Sequence, residues 1–372
     1  MTADKKIKVL VLTPNLRVSN GVASLLMNYY RQLDHEKIQM DFALYKDVST
    51  PYYSELQEHG SNCYILPPVK KLLKHRQACA KILREGQYDI VHDNTLLISY
   101  PMMKEAEKQN IPVRILHSHG TKLGETRYKE IRNGLFAPLL VRCANHFAAC
   151  GEDAGKGLFG TQTFSVLPNV IYAVKYEFDP NVREEVRSRL QVEKNEIVIL
   201  MVARKTPMKN PFFAVDTMKY LQEQGLNIRC WWIGTGPLDA KVEEYAGQQG
   251  VKDIIRFLGN RTDVEKFYQG ADVFFLPSHF EGLPISLLEA QASGLPCVVS
   301  TEVTREAAYT DLVEYVPLAD PHEIWLEAFE KQIIRIPQRR SYTEELLNSQ
   351  FSDTSARQNI ESMYLNMLEE RL

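Results

Sequence analysis

Thirteen short apolar runs of β-type residues recur along the 372-residue chain, at intervals too long for hairpins. No other feature restricts the possible folds as strongly. In the first half the runs are Lys8–Thr13, Met40–Leu44, Tyr64–Leu66, Ile90–His92, Val113–His117, His146–Cys150 and Phe164–Leu167. In the second half they are Ile197–Val202, Ile228–Ile233, Ile254–Leu258, Val273–Pro277, Cys297–Ser300 and Val313–Val316. Several are almost continuously apolar, as strands covered on both faces of a parallel sheet must be. Helical patterns lie between them, such as Val22, Ala23, Leu25, Leu26, Tyr29, Tyr30 and Leu33. Strand alternating with helix predicts an α/β chain with parallel sheets. Thirteen strands overfill one open sheet, so two are expected.

The break between the two sheets is predicted after Pro168-Asn169, where a charged stretch from Tyr176 to Asn195 interrupts the pattern before Ile197 restarts it. Each half is then a doubly wound domain of ordinary size, 1–172 and 173–352, and the cleft between two such domains is the default ligand site. Ser352-Asp353-Thr354 can cap a last helix whose apolar positions are Ile360, Met363, Tyr364, Met367 and Leu368.

Charge adds one distinction. The chain carries 44 Lys+Arg against 47 Asp+Glu, a net of −3, with 44% apolar residues. Residues 1–170 hold 22 basic and 16 acidic residues, a net of +6, whereas 171–372 hold 22 and 31, a net of −9. A basic half joined to an acidic half suggests different partners. The basic excess is modest and has no recognition motif, so nucleic acid is not an expected partner. Mean hydropathy is −0.28, and no apolar run approaches the ~18–20 residues of a membrane span. Met1–Lys6 leads directly into a strand-like run with no signal-peptide core, so a cytoplasmic location is expected. The six cysteines form no CxxC pair and no zinc spacing, which predicts reduced thiols.

Three strand-end turns stand out in the second half. Ser278–Ala290 runs from the end of a buried strand, through Glu281-Gly282-Leu283-Pro284, into a helix over about Ile285 to Ser293. Glu281 is thereby placed at a strand's carboxyl end, where open α/β sheets bind ligands, and the helix start beyond it suits a phosphate. Glu289, about one turn into that helix, can accept two hydrogen bonds from ribose hydroxyls. The bland alternative leaves Glu281 solvated and Glu289 paired with a base. Arg204 and Lys209 follow the strand Ile197–Val202 and can neutralise a diphosphate, unless they are a solvated charge run. Gly234-Thr235-Gly236 forms the third turn.

In the first half His117 and His119, at i and i+2, share one strand face. That spacing would suit a metal pair, yet no third ligand lies nearby in sequence. His119 at the strand end would instead reach a sugar in the cleft. Gly21 allows either close approach by an acceptor or phosphate, or helix packing. The basic segment Pro67–Arg76, leading into an amphipathic stretch that ends Ile82-Leu83-Arg84, reads as a helix docking on an anionic membrane, or as an ordinary solvated one with its apolar face on the sheet.

Glu281 and Glu289 form an E-x7-E pair within EGLPISLLEAQASGLPCVVS. Together with ARKTPMKN and HSHG, this resembles the retaining glycosyltransferases of family 4, of the capsular and exopolysaccharide type, over nearly the whole chain. The resemblance implies a GT-B fold, with the helix at about 353–372 returning to the N-terminal domain. It implies that Arg204 and Lys209 hold the diphosphate of a nucleotide-sugar donor, a UDP-sugar, and that Glu289 binds its ribose. Glu281, with the amides of Gly282 and Leu283, would contact the transferred sugar, and Gly234 and Gly236 would line the donor site. His119 would touch the reacting sugar, giving His119, Glu281, Arg204 and Lys209 catalytic consequence. The donor is a substrate, and no cofactor is implied. No Asp-x-Asp motif occurs, so metal-independent transfer is expected, to a glycan or lipid-linked acceptor met by the basic half. Three positions depart from the family pattern. Pro284 stands where many relatives have Gly, Gly120 where many have Asn, and Gly21 alone where many carry two glycines. A GT-B sugar-nucleotide 2-epimerase and a non-catalytic GT-B partner subunit are the competing readings.

Overall fold

The computed structural model describes residues 6–18, 20–124 and 127–370. The N-terminal stretch Met1–Lys5, on which the cytoplasmic expectation partly rests, and the last two residues of the 353–372 helix lie outside them. The chain divides into two compact units, Met1–Val170 with Asp353–Leu372, and Ile171–Ser352.

The first unit is built on a parallel sheet of β1 (Ile7–Thr13), β2 (Ile38–Leu44), β3 (Cys63–Ile65), β4 (Ile90–Asp93), β5 (Val113–Ser118), β6 (His146–Ala149) and β7 (Ser165–Val166). Their order is β3-β2-β1-β4-β5-β6-β7, with the direction of winding reversing between β1 and β4. β1 shows why the sequence reads as it does: Val9, Leu10, Val11 and Leu12 are all buried, because both faces are covered. The last helix, Asp353–Glu369, packs on this unit through Ala356, Ile360, Met363, Tyr364 and Met367. It is tied down by Arg357 to Asp34 at 2.7 Å and by the Asp34 amide, which donates to Glu361 at 2.8 Å.

The second unit holds β8 (Ile197–Val202), β9 (Ile228–Ile233), β10 (Ile255–Gly259), β11 (Val273–Leu276), β12 (Cys297–Ser300) and β13 (Val313–Val316), again all parallel. Their order is β10-β9-β8-β11-β12-β13, so the winding reverses between β8 and β11. One face packs Trp232, Phe275, Trp325 and Phe329 into a common core. Trp325 sits edge-on to Phe213 and Phe275 at 5.2 and 5.6 Å. Full burial of each such side chain is worth about 1.5–3 kcal/mol.

The charged stretch between the two apolar patterns is structured. Pro180–Arg189 is a helix with Pro180 in its first turn, and the Asp179 side chain accepts the Asn181 amide at 2.8 Å. It looks like a break in sequence because Val186 is its only fully buried residue. Its anchorage is ionic. Arg183 pairs with buried Asp272, Arg187 reaches the same carboxylate at 2.7 Å, and the Val198 amide donates to it at 2.7 Å. The cysteines are thiols, Cys63 half-buried and the other five buried.

Asp272→Ala would strand two guanidinium groups, so the second unit should lose about 3–5 kcal/mol. All three tryptophans, Trp231, Trp232 and Trp325, belong to this unit, so urea unfolding followed by tryptophan fluorescence reads it directly. A midpoint equal to that of the parent would contradict the role given to Asp272.

Candidate active site

In the second unit β9, β8 and β11 are consecutive neighbours, so the three turns leaving their carboxyl ends lie side by side at the reversal of winding, where doubly wound sheets bind ligands. After β8 the chain makes a tight turn at Pro207–Lys209, passes through Asn210 at φ +52° and enters the helix Pro211–Glu223. After β11 it runs through Ser278 to Glu281. The two turns are joined by the backbone, His279 N donating to Met208 O at 2.8 Å. They are also joined by charge, since Lys209 Nζ pairs with Glu281 Oε1. Two residues with separately predicted roles are thus one unit, with Glu281 only 7% exposed. Arg204, on the same turn, is exposed.

Gly234 and Gly236 are required by packing. At Gly234, φ is +117° and a Cβ would lie 2.5 Å from Ala203 O; at Gly236 it would lie 2.3 Å from Lys205 O. Only glycines let the β9 turn close on the β8 turn. Between the two turns stands Lys205, which reads as part of a solvated charge run but is fully buried. Its ammonium donates to Gly234 O at 2.9 Å, lies 3.1 Å from Asp239 and sits over the Phe257 ring at 5.0 Å. It props the turns from beneath.

Glu289 lies in the helix Ile285–Ala292, and its carboxylate already accepts two hydroxyls, from Tyr176 and, at 2.7 Å, from Tyr268. Burial raises its pKa, and the two tyrosine hydroxyls oppose that rise. A carboxylate has about four lone-pair sites, so ribose hydroxyls can join this pair. Leu283 is 5% exposed and Gly282 is buried beside it. Pro284 directly precedes the helix in extended conformation.

In the first unit Gly21 opens the helix Gly21–Tyr30 at the carboxyl side of β1, where Asn20 accepts the Val22 amide at 3.1 Å. Among the described residues a Cβ on Gly21 would meet nothing within 4 Å, so no close packing contact there calls for a glycine. His117 and His119 do share a face: their rings stack at 4.1 Å. Neither the metal spacing nor the strand pattern shows what surrounds them. His117 Nδ1 faces His92 Nε2 at 3.0 Å, and His92 Nδ1 faces the Tyr364 hydroxyl at 2.8 Å. His119 Nε2 lies 2.7 Å from Asn94 Oδ1. Asn94, directly after β4, therefore supplies an amide to the histidine whose neighbour, Gly120, cannot. Burial lowers all three histidine pKa values, His92 to about 3, His119 to about 4 and His117 well below 6.5. Among the described residues no three His, Cys, Asp or Glu side chains are gathered as a metal site.

A family model described as "Glycosyl transferases group 1" matches residues 182–309. EpsF of Bacillus subtilis (strain 168), which bears a glycosyltransferase name, is 30% identical over 338 residues, 88% of each chain. The UDP-Gal:alpha-D-GlcNAc-diphosphoundecaprenol alpha-1,3-galactosyltransferase of Escherichia coli is 29% identical over 304 residues, 76% of each chain. Among solved structures, Anabaena HepE in complex with UDP-glucose matches in fold with a TM-score of 0.81 at 16% identity, covering 97% of this chain and 100% of that one. The two parallel-sheet units have the GT-B architecture.

The histidine row makes the first unit acid-labile. Its members are neutral when folded and take up protons at about pH 6.5 when unfolded. Below that pH the three histidines bind more protons in the unfolded chain, whereas buried Asp93, its carboxyl pushed up to about 7, holds one more in the folded chain; three outweigh one, so stability still falls as pH drops from 6.5 toward 4. Hydrogen exchange of the β4 and β5 amides should show opening free energies falling between pH 6.5 and 5, above the range of ordinary carboxylates. Values that stay level across that window would refute this.

Proposed function

Because the chain belongs to the group 1 glycosyl transferases, we propose that it is a retaining, metal-independent hexosyltransferase, moving a hexose or N-acetylhexosamine from a UDP-sugar to a glycan or lipid-linked acceptor in surface polysaccharide synthesis. The observation that carries the reading is the pairing of Lys209 with Glu281 where β8 and β11 meet at the reversal of winding. The E. coli relative's name supports the acceptor class and the retention, because an α product is what retention from an α-linked donor gives.

Charge balance follows from the residues. Arg204, Lys209 and Glu281 together carry a net of +1, against the two negative charges of a bound sugar diphosphate. As the bond from the anomeric carbon to phosphate breaks, negative charge grows on the leaving oxygen. Lys209 and Arg204 meet it, aided by the start of the helix Ile285–Ala292. Lys209 turns from Glu281 to the phosphate, and Glu281 is then released to accept hydroxyls of the sugar. The acceptor oxygen bonds to the anomeric carbon on the face the phosphate leaves, and its proton passes to the departing phosphate oxygen. Glu289 holds the ribose among Tyr176 and Tyr268.

The acceptor falls to the first unit. Its helix Leu72–Gly86 packs inward through His75, Cys79 and Leu83 while leaving Leu72 and Leu73 exposed beside Lys70, Lys71 and Lys74. Exposed leucines among lysines suit an anionic lipid surface that presents the acceptor. No helix among the described residues is long and apolar enough to cross a membrane.

The reading makes concrete demands. Lys209→Ala should lower turnover by ~10²-fold or more, by analogy with loss of one oxyanion donor; unchanged turnover sinks the leaving-group role. Glu289→Gln loses a charged acceptor and should weaken UDP binding by roughly 10-fold or more in calorimetry, whereas equal affinity removes the ribose assignment. A β-linked product by NMR would end the case for retention, turnover lost in EDTA would end that for metal independence, and epimerisation of a UDP-sugar without acceptor would favour the 2-epimerase.

A further inference from the structure

Asn94 follows β4 directly, at the reversal of winding in the first sheet, and is 5% exposed. Its side-chain amide can sit only one way round. Nδ2 donates to the His92 carbonyl at 3.2 Å, and a flipped amide would set Oδ1 against that oxygen. Oδ1 therefore faces His119 Nε2, 2.7 Å away, and an amide oxygen can only accept. His119 must carry its proton on Nε2. Among the described residues Nδ1 has no protein partner.

The rest of the surroundings keep the ring neutral. His117 stacks on it at 4.1 Å and is paired through His92 with Tyr364, a row that contains no carboxylate. His117 Nε2 is buried without a partner. An orphaned N–H costs more than an orphaned acceptor, so the row runs from His117 N–H to His92 and from His92 N–H to the Tyr364 oxygen. The titratable groups that face His119 are His117 on β5 and His92 on β4; Tyr364 on the last helix meets His92, and Asp93 follows His92 on β4. Asp93 is turned away, accepting from Thr95 and Ser99. The charged residues of the helix Glu152–Phe159, namely Glu152, Asp153 and Lys156, are solvent-exposed. Burial holds the His119 pKa down at about 4, so no proton reaches Nδ1 at neutral pH.

We propose that Asn94 is a positioning residue that locks His119 in the neutral Nε2–H tautomer, reserving Nδ1 as the acceptor for a hydroxyl of the transferred sugar. This rests on the reading of His119 as a sugar contact. A neutral ring that accepts at Nδ1 discriminates for a hydroxyl donor and against a second cation, and it exerts no pull on the leaving group's charge.

The test uses the full chain labelled with ¹⁵N in its histidine rings, with His119 assigned by the signal lost in His119→Gln. Long-range proton–nitrogen correlations should show the Nε2–H tautomer with no titration from pH 8 to 5. In Asn94→Asp a carboxylate faces the ring and should raise its pKa by about 1–3 units. UDP release from UDP-glucose, UDP-galactose or UDP-N-acetylglucosamine should then gain an acid limb at the same pH, because the imidazolium has no lone pair to offer. In Asn94→Leu the tautomer should become mixed, and kcat should fall about 10-fold with the acceptor KM little changed. An Nδ1–H tautomer in the parent, or an Asn94→Asp ring that titrates like the parent, overturns the proposal. If His119→Gln turns over at the parent rate, the underlying sugar-contact reading fails instead, whatever the spectra show.

Discussion

A parallel sheet covered by helices on both faces leaves only the ends of its strands for a ligand, and in doubly wound sheets it is the carboxyl end, where the helices start, that binds; both units of this chain depend on that restriction. Faces that hold Trp232, Phe275 and Trp325 on one side and Phe274 on the other have no room for a polar ligand. Where the winding reverses, successive loops diverge to opposite faces and leave space between them. The candidate sugar- and phosphate-binding residues lie on loops or helices that follow β1, β4 and β5 in one unit, or β8, β9 and β11 in the other.

Net charge is a poor guide to what such an edge binds. Residues 171–372 carry −9, yet they present Arg204 and Lys209 together at one place. The excess acid is elsewhere or already matched: Asp272 is held by Arg183 and Arg187, and Glu196 by Arg229 at 2.8 Å. With screening over about 10 Å at 0.1 M salt, the two near cations outweigh distant carboxylates. Lys205, carrying the same charge one residue from Arg204, contributes packing instead.

The strands were legible because burial on both faces erases alternation and leaves unbroken apolar runs; β8, β9, β12 and β13 begin and end where the sequence places them. The strand-end turns were legible for the same reason, as polar residues stand out where such runs stop. The helix Pro180–Arg189 escaped because ionic anchorage has no hydrophobic period. Lys205 escaped because sequence cannot distinguish a buried ammonium from a solvated one. The partners of Glu289 and His119 lie 113 residues away at Tyr176 and 25 away at Asn94, separations that no local pattern encodes.

The way the last helix completes the first sheet bears on synthesis. His92 meets the Tyr364 hydroxyl across 272 positions of chain, and the Ile171–Ser352 unit lies wholly between them. At about 5–20 residues per second, a ribosome needs roughly 15–50 s to go from one to the other. The second unit has all its strands before Tyr364 emerges, so the later half of the chain can finish folding first. Until then the buried histidines of the first unit lack their closing partner, and a nascent or truncated chain exposes that surface to chaperones and proteases.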